Sequence, residues 1–272
     1  LYILVMHTHH SAVAKQCSRG VFLMRRICVI NQKGGVGKTT TTINLAAGLA
    51  AKNKKVLLLD LDPQSNVNTN LCLPAEKTMY NILIDNADPR ECIFSVNDYL
   101  HVIPSTQALS EAEMILTGRA SRETVLRRAM QHVTEYDYVI VDCPPSISLL
   151  NQNALLYANE AFIPVATEYL ALDALRKMNS TVDEINEVFG HDLRITMVIP
   201  TMYDKRIKSS IQTLSEIRKG FNGTVASPIR VNSKLKEAPS QGTTIFDHAK
   251  SSNGAKDYLK LTEKVIETET GF

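Results

Sequence analysis

The chain has 272 residues, 44% of them hydrophobic and 21% charged, which is ordinary globular composition and excludes a disordered, collagen-like or low-complexity protein. Thirty Lys plus Arg against 28 Asp plus Glu leave a formal charge of +2, so no global field draws it to nucleic acid or membrane and any basic site must be local. Five cysteines at positions 17, 28, 72, 92 and 143 show no CxxC pair and no metal-finger spacing, against a disulfide framework or a structural zinc and in favour of a reducing cytoplasm.

No apolar run approaches the roughly 18 residues that cross a bilayer, and the opening LYILVM lacks the basic leader of a signal peptide. The first residue is Leu, and Met24 directly precedes the first convincing strand. Residues 1–23 are therefore expected to be a non-native or disordered extension, and 24–272 a single domain.

The run RICVIN, 26–31, is apolar and bounded by a glycine-rich turn, the signature of a buried strand. KTTTTINLAAGLAAK, 38–52, places Ile43, Ala46, Ala47 and Ala50 on one helical face, and VLLLD, 56–60, is the next strand. Strand, helix and strand make a βαβ unit whose strands run parallel and are buried on both faces. Further β-branched runs lie at 101–104, 138–142, 161–166 and 194–200, separated by helical stretches near 121–132, 148–158 and 173–189. This alternation predicts an α/β fold, a doubly wound and mostly parallel sheet with helices on both faces. The last third predicts a helix to Phe221, a short strand at 224–229, a loop through Pro239 and a terminal helix over 254–267.

Between the first strand and helix lies KGGVGKTT, Lys33 to Thr40. Gly34, Gly35 and Gly37 let successive amides point inward, and the helix start adds its positive dipole end, so the loop can cradle an anion. Lys38 would reach the β and γ phosphates, and the Thr39 hydroxyl would ligate Mg²⁺. The general phosphate-loop pattern wants glycine where this chain has Gln32. The deviation resembles the deviant Walker A family of P-loop NTPases, whose signature KGGxGK[ST]T is met in full, and the later motifs narrow the likeness to the ParA/Soj branch.

The resemblance implies ATP and Mg²⁺ as cofactors, nucleotide contacts from Lys33, Gly34, Gly35, Val36, Gly37, Lys38, Thr39 and Thr40, and an ATP-sandwich homodimer in which Lys33 reaches the partner's nucleotide. Two facing phosphate chains tolerate one another only with cations between them. In LDLDPQSN, 59–66, the residue matching Asp62 orients the attacking water in such proteins. A turn-capping role stays open for Asp62, and a structural one for Asp60. YVIVD, 138–142, followed by CPPS, is a Walker B pattern in which Asp142 holds Mg²⁺ through water, while Cys143 reads as packing. The catalytic candidates are thus Lys33, Lys38 and Asp62, and the metal candidates Thr39 and Asp142. TMYD at 201–204, EAPSQG at 237–242 and the stretch around Arg230 and Asn232 also match the branch and bring Met202 and Asn232 toward the adenine. Where the branch reads IPRN this chain has IRVN.

Residues 201–236 hold eight bases, Lys205, Arg206, Lys208, Arg218, Lys219, Arg230, Lys234 and Lys236, against Asp204 and Glu216. Charge gathered in one segment of a nearly neutral chain is the footprint of a phosphate-binding patch; a solvated helical face is the equally open alternative. No base-reading module precedes the domain, so DNA binding through these residues would be non-specific and salt-sensitive. The resemblance implies a cytoplasmic, nucleoid-associated partition ATPase with a ParB-like centromere-binding partner. A MinD-like positioner on a membrane or protein scaffold is the alternative. The tail YLKLTEKVIETETGF has three Glu after Thr262 and no Arg, which disfavours a basic membrane helix. Scattered cysteines disfavour an iron-sulfur reductase, a single tyrosine in the last fifteen residues a tyrosine kinase, and Asp62 a non-hydrolysing clamp.

Overall fold

The computed structural model describes residues 24–146 and 148–271; the expected extension over 1–23 lies outside them. Strand β1 (Arg25–Val29) leads through the glycine loop into α1 (Lys38–Ala51) and β2 (Val56–Asp60). Short helices α2 (Asn66–Leu71) and α3 (Met79–Leu83) precede β3 (Phe94–Ser95) and β4 (Leu100–Ile103). Then come α4 (Leu109–Thr117), α5 (Val125–Ala129), β5 (Tyr138–Asp142), α6 (Leu149–Tyr157), β6 (Glu160–Ala166), α7 (Ala171–Phe189) and β7 (Arg194–Thr201). The last third holds α8 (Lys208–Gly220), α9 (Ser233–Glu237), α10 (Ile245–His248) and α11 (Asn253–Glu267).

The seven strands form one sheet in the order β3-β4-β2-β5-β1-β6-β7, parallel throughout except for the β3–β4 pair. Strand alternation sorts the side chains into two cores. Cys28, Leu57, Leu59, Val139, Val141 and Ile163 face the helices α3 to α7; Ile27, Val29, Leu58, Ile140 and Phe162 face α1 and α11. The doubly wound sheet is therefore present, and its winding reverses around β1, so that the crevice beyond the carboxyl ends of β1 and β5 is where a ligand fits such a sheet.

Three expectations are corrected. Residues 224–229 are not a strand: they run beside β7, with Val198 N donating to Thr224 O, Ala226 N to Val198 O and Ile229 N to Pro200 O, but join it only by the isolated bridges Val198–Val225 and Tyr203–Arg230. Pro228, which has no N–H, interrupts the ladder between them. The helix near 121–132 shrinks to α5, because Ser121 adopts a left-handed φ of 51° ahead of a single 3-10 turn. The loop before Pro239 is helix α9, started by Asn232, whose Oδ1 accepts from Lys234 N at 2.9 Å. Helices α2, α3, α4 and α10 were not anticipated.

Helix α11 buries Tyr258, Leu261 and Val265 against α1 and the sheet, and the Tyr258 hydroxyl lies 3.2 Å from Thr41 Oγ1. No helix among the described residues is long and apolar enough to cross a membrane. At the α1–α11 crossing, a Cβ on Gly48 would fall on Thr262 Oγ1 and lie 3.2 Å from Thr262 Cβ. Alanine in mid-helix normally gains about 1 kcal/mol over glycine, but here the overlap decides the sign. Gly48→Ala is expected to lower unfolding stability by about 1–3 kcal/mol in urea titrations, with Thr262→Ala recovering part of the loss in the double variant.

Candidate active site: the phosphate loop and its carboxylates

The loop after β1 is built on two glycines in left-handed backbone, Gly35 at φ 73° and Gly37 at φ 88°, a region that β-carbons make costly. Gly37 occupies the cap position of α1, where no side chain caps the helix and no acid stands in its first turn. The first-turn amides are thus left for an external anion. Asn31, which the sequence reading did not single out, braces the entry: its Oδ1 accepts from Lys33 N at 2.9 Å and its Nδ2 donates to Pro164 O at 2.8 Å. Thr201, at the end of β7, donates to Val36 O at 2.8 Å, tying that edge of the sheet to the loop.

Lys38 is buried, with Nζ turned back on Lys33 O at 3.3 Å. Burial lowers its pKa, and the charges of Asp142, Cys143 and Asp62 oppose that fall. Asp142 ends β5 beside Asp60, its register partner on β2, and both are fully buried. Thr39 Oγ1 donates to Asp142 Oδ2 at 2.7 Å and Thr42 Oγ1 to Oδ1 at 3.0 Å. Burial pushes the Asp142 carboxyl up to about 7, against the pull of these two hydroxyls. Asp60 is held well above the carboxylate range by burial and by Asp142, and its Oδ2 is buried with no hydrogen-bond partner.

The carboxyls of Asp60 and Asp142, of which Asp60 Oδ2 is the unpartnered oxygen, and the hydroxyls of Thr39 and Thr42 form an all-oxygen donor set. A hard divalent cation that keeps waters and phosphate oxygens in its own shell suits such a set. Thr39 and Asp142 are the residues of this set that could hold such a cation.

Strand β2 stops at Asp60, so strand alternation does not place Asp62. A turn does: Asp62 N donates to Asp60 Oδ1 at 3.0 Å, Gln64 N to Asp62 Oδ1 at 2.9 Å, and Ser105 Oγ to Asp62 O at 2.8 Å. The capping role left open for Asp62 is thus real, and it occupies one oxygen of the carboxylate. Asp60 is the buttress of this turn, the structural role weighed for it. Cys143 is fully buried in the core, and burial pushes its thiol up, in line with packing.

Lys33, Lys38, Thr39, Asp62 and Asp142 thus converge at one sheet edge, and the family likeness can be tested against known proteins. Residues 24–195 match the family model described as an AAA domain. The sporulation initiation inhibitor protein Soj of Bacillus subtilis is 43% identical over 245 residues, covering 88% of this chain and 97% of the relative. The chromosome partitioning protein ParA of Myxococcus xanthus is 38% identical over 252 residues, covering 90% and 89%. The chain belongs to the ParA/Soj family of partition ATPases. Among solved structures, cobyrinic acid a,c-diamide synthase of Mycobacterium smegmatis, with a bound ATP analogue and magnesium, superposes with a TM-score of 0.79 at 28% identity, over 92% of this chain and 98% of that one.

Two features of this family member were not visible in the motif. Lys33 Nζ is engaged within its own chain, 2.6 Å from Glu168 Oε2, with both side chains exposed. Thr42 doubles the hold on Asp142; the run of four threonines from Thr39 was the available signal. The base-side candidates lie next to the loop through Thr201: Met202 has a left-handed φ of 53° and is exposed, and Val231 N donates to Tyr203 O at 3.0 Å, which brings Asn232 alongside.

The basic segment divides. Arg230 makes a multidentate pair with buried Asp257, Nη2 to Oδ1 at 2.6 Å, so it is a structural residue rather than a member of a patch. Arg206 is paired with Asp204 at 2.6 Å and Lys234 with Glu237 at 2.6 Å. Lys205, Lys208, Arg218, Lys219 and Lys236 are exposed, and among the described residues no ion pair engages them.

Proposed function

We propose that this chain is an ATP-driven partition switch for a plasmid or chromosome, carried by a single domain over 24–272. The convergence of Lys38, Thr39, Asp142 and Asp62 around an uncapped helix start carries the reading. Backbone amides of 34–40 would hold the phosphate chain of ATP, with Met202 and Asn232 at the base. Lys38 would leave Lys33 O for the phosphates and neutralise the charge that grows on them in phosphoryl transfer. Thr39 and Asp142 would hold Mg²⁺, which supplies positive charge to the phosphate oxygens when bound. Asp62 has one oxygen fixed by Gln64 N and the other without a hydrogen-bond partner among the described residues, so that it could orient water in line with the phosphate.

Lys33 is the residue through which a second copy would join. Its pair with Glu168 is exposed, and such pairs are worth at most about 1 kcal/mol, so the lysine exchanges partner at little cost. Glu168→Gln is expected to leave stability within about 1 kcal/mol and to favour the ATP-dependent dimer by up to about fivefold, whereas Lys33→Ala abolishes it. Sedimentation velocity with ATP and the Asp62→Ala background reads both, and a Lys33→Ala protein that still dimerises would remove Lys33 from the seam.

The dimer would join two surfaces bearing Lys205, Lys208, Arg218, Lys219 and Lys236, with Arg206 and Lys234 at their margins, and raise affinity for non-specific DNA by avidity. Hydrolysis, stimulated by a ParB-like partner, would release the DNA, and the protein would work on the nucleoid in the cytoplasm. The test is duplex DNA retention with ATP, ADP or neither at several salt concentrations. Arg218→Glu/Lys219→Glu is expected to weaken ATP-dependent retention and to flatten the log–log salt slope by about 2 for each chain of the dimer. Dimerisation with no DNA retention would move the assignment to a MinD-like positioner on another scaffold.

A further inference from the structure

Along α3 and α5 lies a half-open cavity of about 440 Å³. It shares no residue with the phosphate loop, with Asp62 or Asp142, or with the segment 201–236. Its rim is cationic: Arg90, Arg119 and Arg128 line it, and Asp88 is the one carboxylate among the lining residues. Its floor is apolar, made of the buried side chains of Ile82, Val125 and Val133.

Neutral groups hold the guanidiniums of Arg119 and Arg128, and one holds part of that of Arg90. Arg119 Nη1 and Nη2 donate to Leu83 O at 3.1 Å and Ile84 O at 3.0 Å, where α3 ends. Arg128 Nη1 donates to Ser121 O at 3.1 Å and Thr124 Oγ1 at 2.8 Å, and Arg90 Nη2 to His132 O at 2.6 Å. A carbonyl orients a guanidinium without neutralising it, and each guanidinium has five donors, so several N–H groups remain on each. Among the described residues, ion pairs reach Arg90, from Glu135 at 3.5 Å and Asp88 at 3.9 Å, and none reaches Arg119 or Arg128. Two guanidiniums that carry no acid among the described residues, lining one pocket with apolar side chains, are a donor set suited to phosphate.

We propose that this cavity binds a small organic phosphate with a flat apolar body, of the nucleotide class. Its phosphate would lie on Arg119 and Arg128 and its body over Val125 and Val133. The volume falls in the range of about 300–1,000 Å³ usual for such ligands. A duplex backbone would meet the rim but leave the floor unfilled, which is why a small molecule fits better than DNA. The protein would then take up two nucleotides per chain, one at the loop and one here.

The test uses the full chain carrying Lys38→Ala, to weaken the loop, and titrates ADP, GDP and inorganic pyrophosphate by calorimetry. At least one nucleotide is expected to bind at least tenfold more tightly than pyrophosphate. Arg128→Glu in the same background should weaken that binding at least tenfold, and Ala129→Phe, which fills the space and leaves every cation in place, should do the same if its melting temperature is unchanged. Nucleotide binding indifferent to both changes, pyrophosphate binding as tight as the nucleotides, or no binding at all would overturn the proposal. So would a cavity whose Arg128 dependence appears in duplex DNA retention and not in nucleotide binding.

Discussion

Replacing Asp62 by alanine is expected to cut ATP turnover by roughly a hundredfold or more, while ATP binding changes by no more than a few fold. The turn that carries Asp62 is held mostly by groups the substitution leaves in place. Asp62 N remains on Asp60 Oδ1, and Ser105 Oγ remains on Asp62 O. What is lost is the bond from Gln64 N to Asp62 Oδ1, worth about 1 kcal/mol, and the free oxygen that would aim water. Phosphoryl transfer depends on such aim more than on a strong base. Phosphate release and retention of labelled ATP, measured on the same preparations, separate the two effects. Turnover in Asp62→Ala equal to that of the parent would mean that Asp62 serves only its turn.

The largest stability effect is expected at Arg25. Its Nε and Nη2 donate to the two oxygens of Glu160, each at 2.6 Å, and Nη1 donates to Val265 O at 2.7 Å. The side chains of both partners are less than a tenth exposed. Arg25→Met would leave the Glu160 carboxylate buried with, among the described residues, the Thr196 hydroxyl at 2.8 Å as its remaining side-chain partner, and loosen the C-terminal end of α11 from β1. Removing one partner of such a pair costs about 3–5 kcal/mol, because the remaining charge has lost its compensation. Urea unfolding of Arg25→Met and of the double variant Arg25→Met/Glu160→Leu decides the cause. The double variant should recover much of the loss; a double variant no better than the single would assign the cost to the other contacts of Arg25, among them Val265 O, Thr268 Oγ1 and the Tyr138 ring.

Much of the site was legible because its chemistry is local. Eight consecutive residues, Lys33 to Thr40, dictate the phosphate loop: glycines permit the left-handed turns, and Lys38 and Thr39 follow at the helix start whatever packs around them. Asp142 was legible as an acid at the tip of an apolar strand, and the sheet itself from six buried runs. Short helices such as α2 and α10 were not legible, since a single turn or two has no periodicity to detect and forms only where tertiary contacts stabilise it. The strand expected at 224–229 failed because its apolar residues answer to β7, while Pro228 breaks the ladder.

The sequence by itself determined the sheet, the anion cradle and the set of acids and bases that face it, because these follow from backbone freedom, strand burial and chain order. Tertiary structure alone decided which of those charges are spent. Arg230 and Arg25 look like any other bases in the sequence, yet Asp257 and Glu160, 27 and 135 residues away, claim them. Lys33 is drawn to Glu168, Thr42 joins Thr39 on Asp142, and Arg119 and Arg128 are left, among the described residues, without an acid around a cavity. Pairing of charges depends on distances of a few ångströms between residues far apart in the chain, and a Coulomb interaction that falls with distance and with the local dielectric is set only when the fold brings them together.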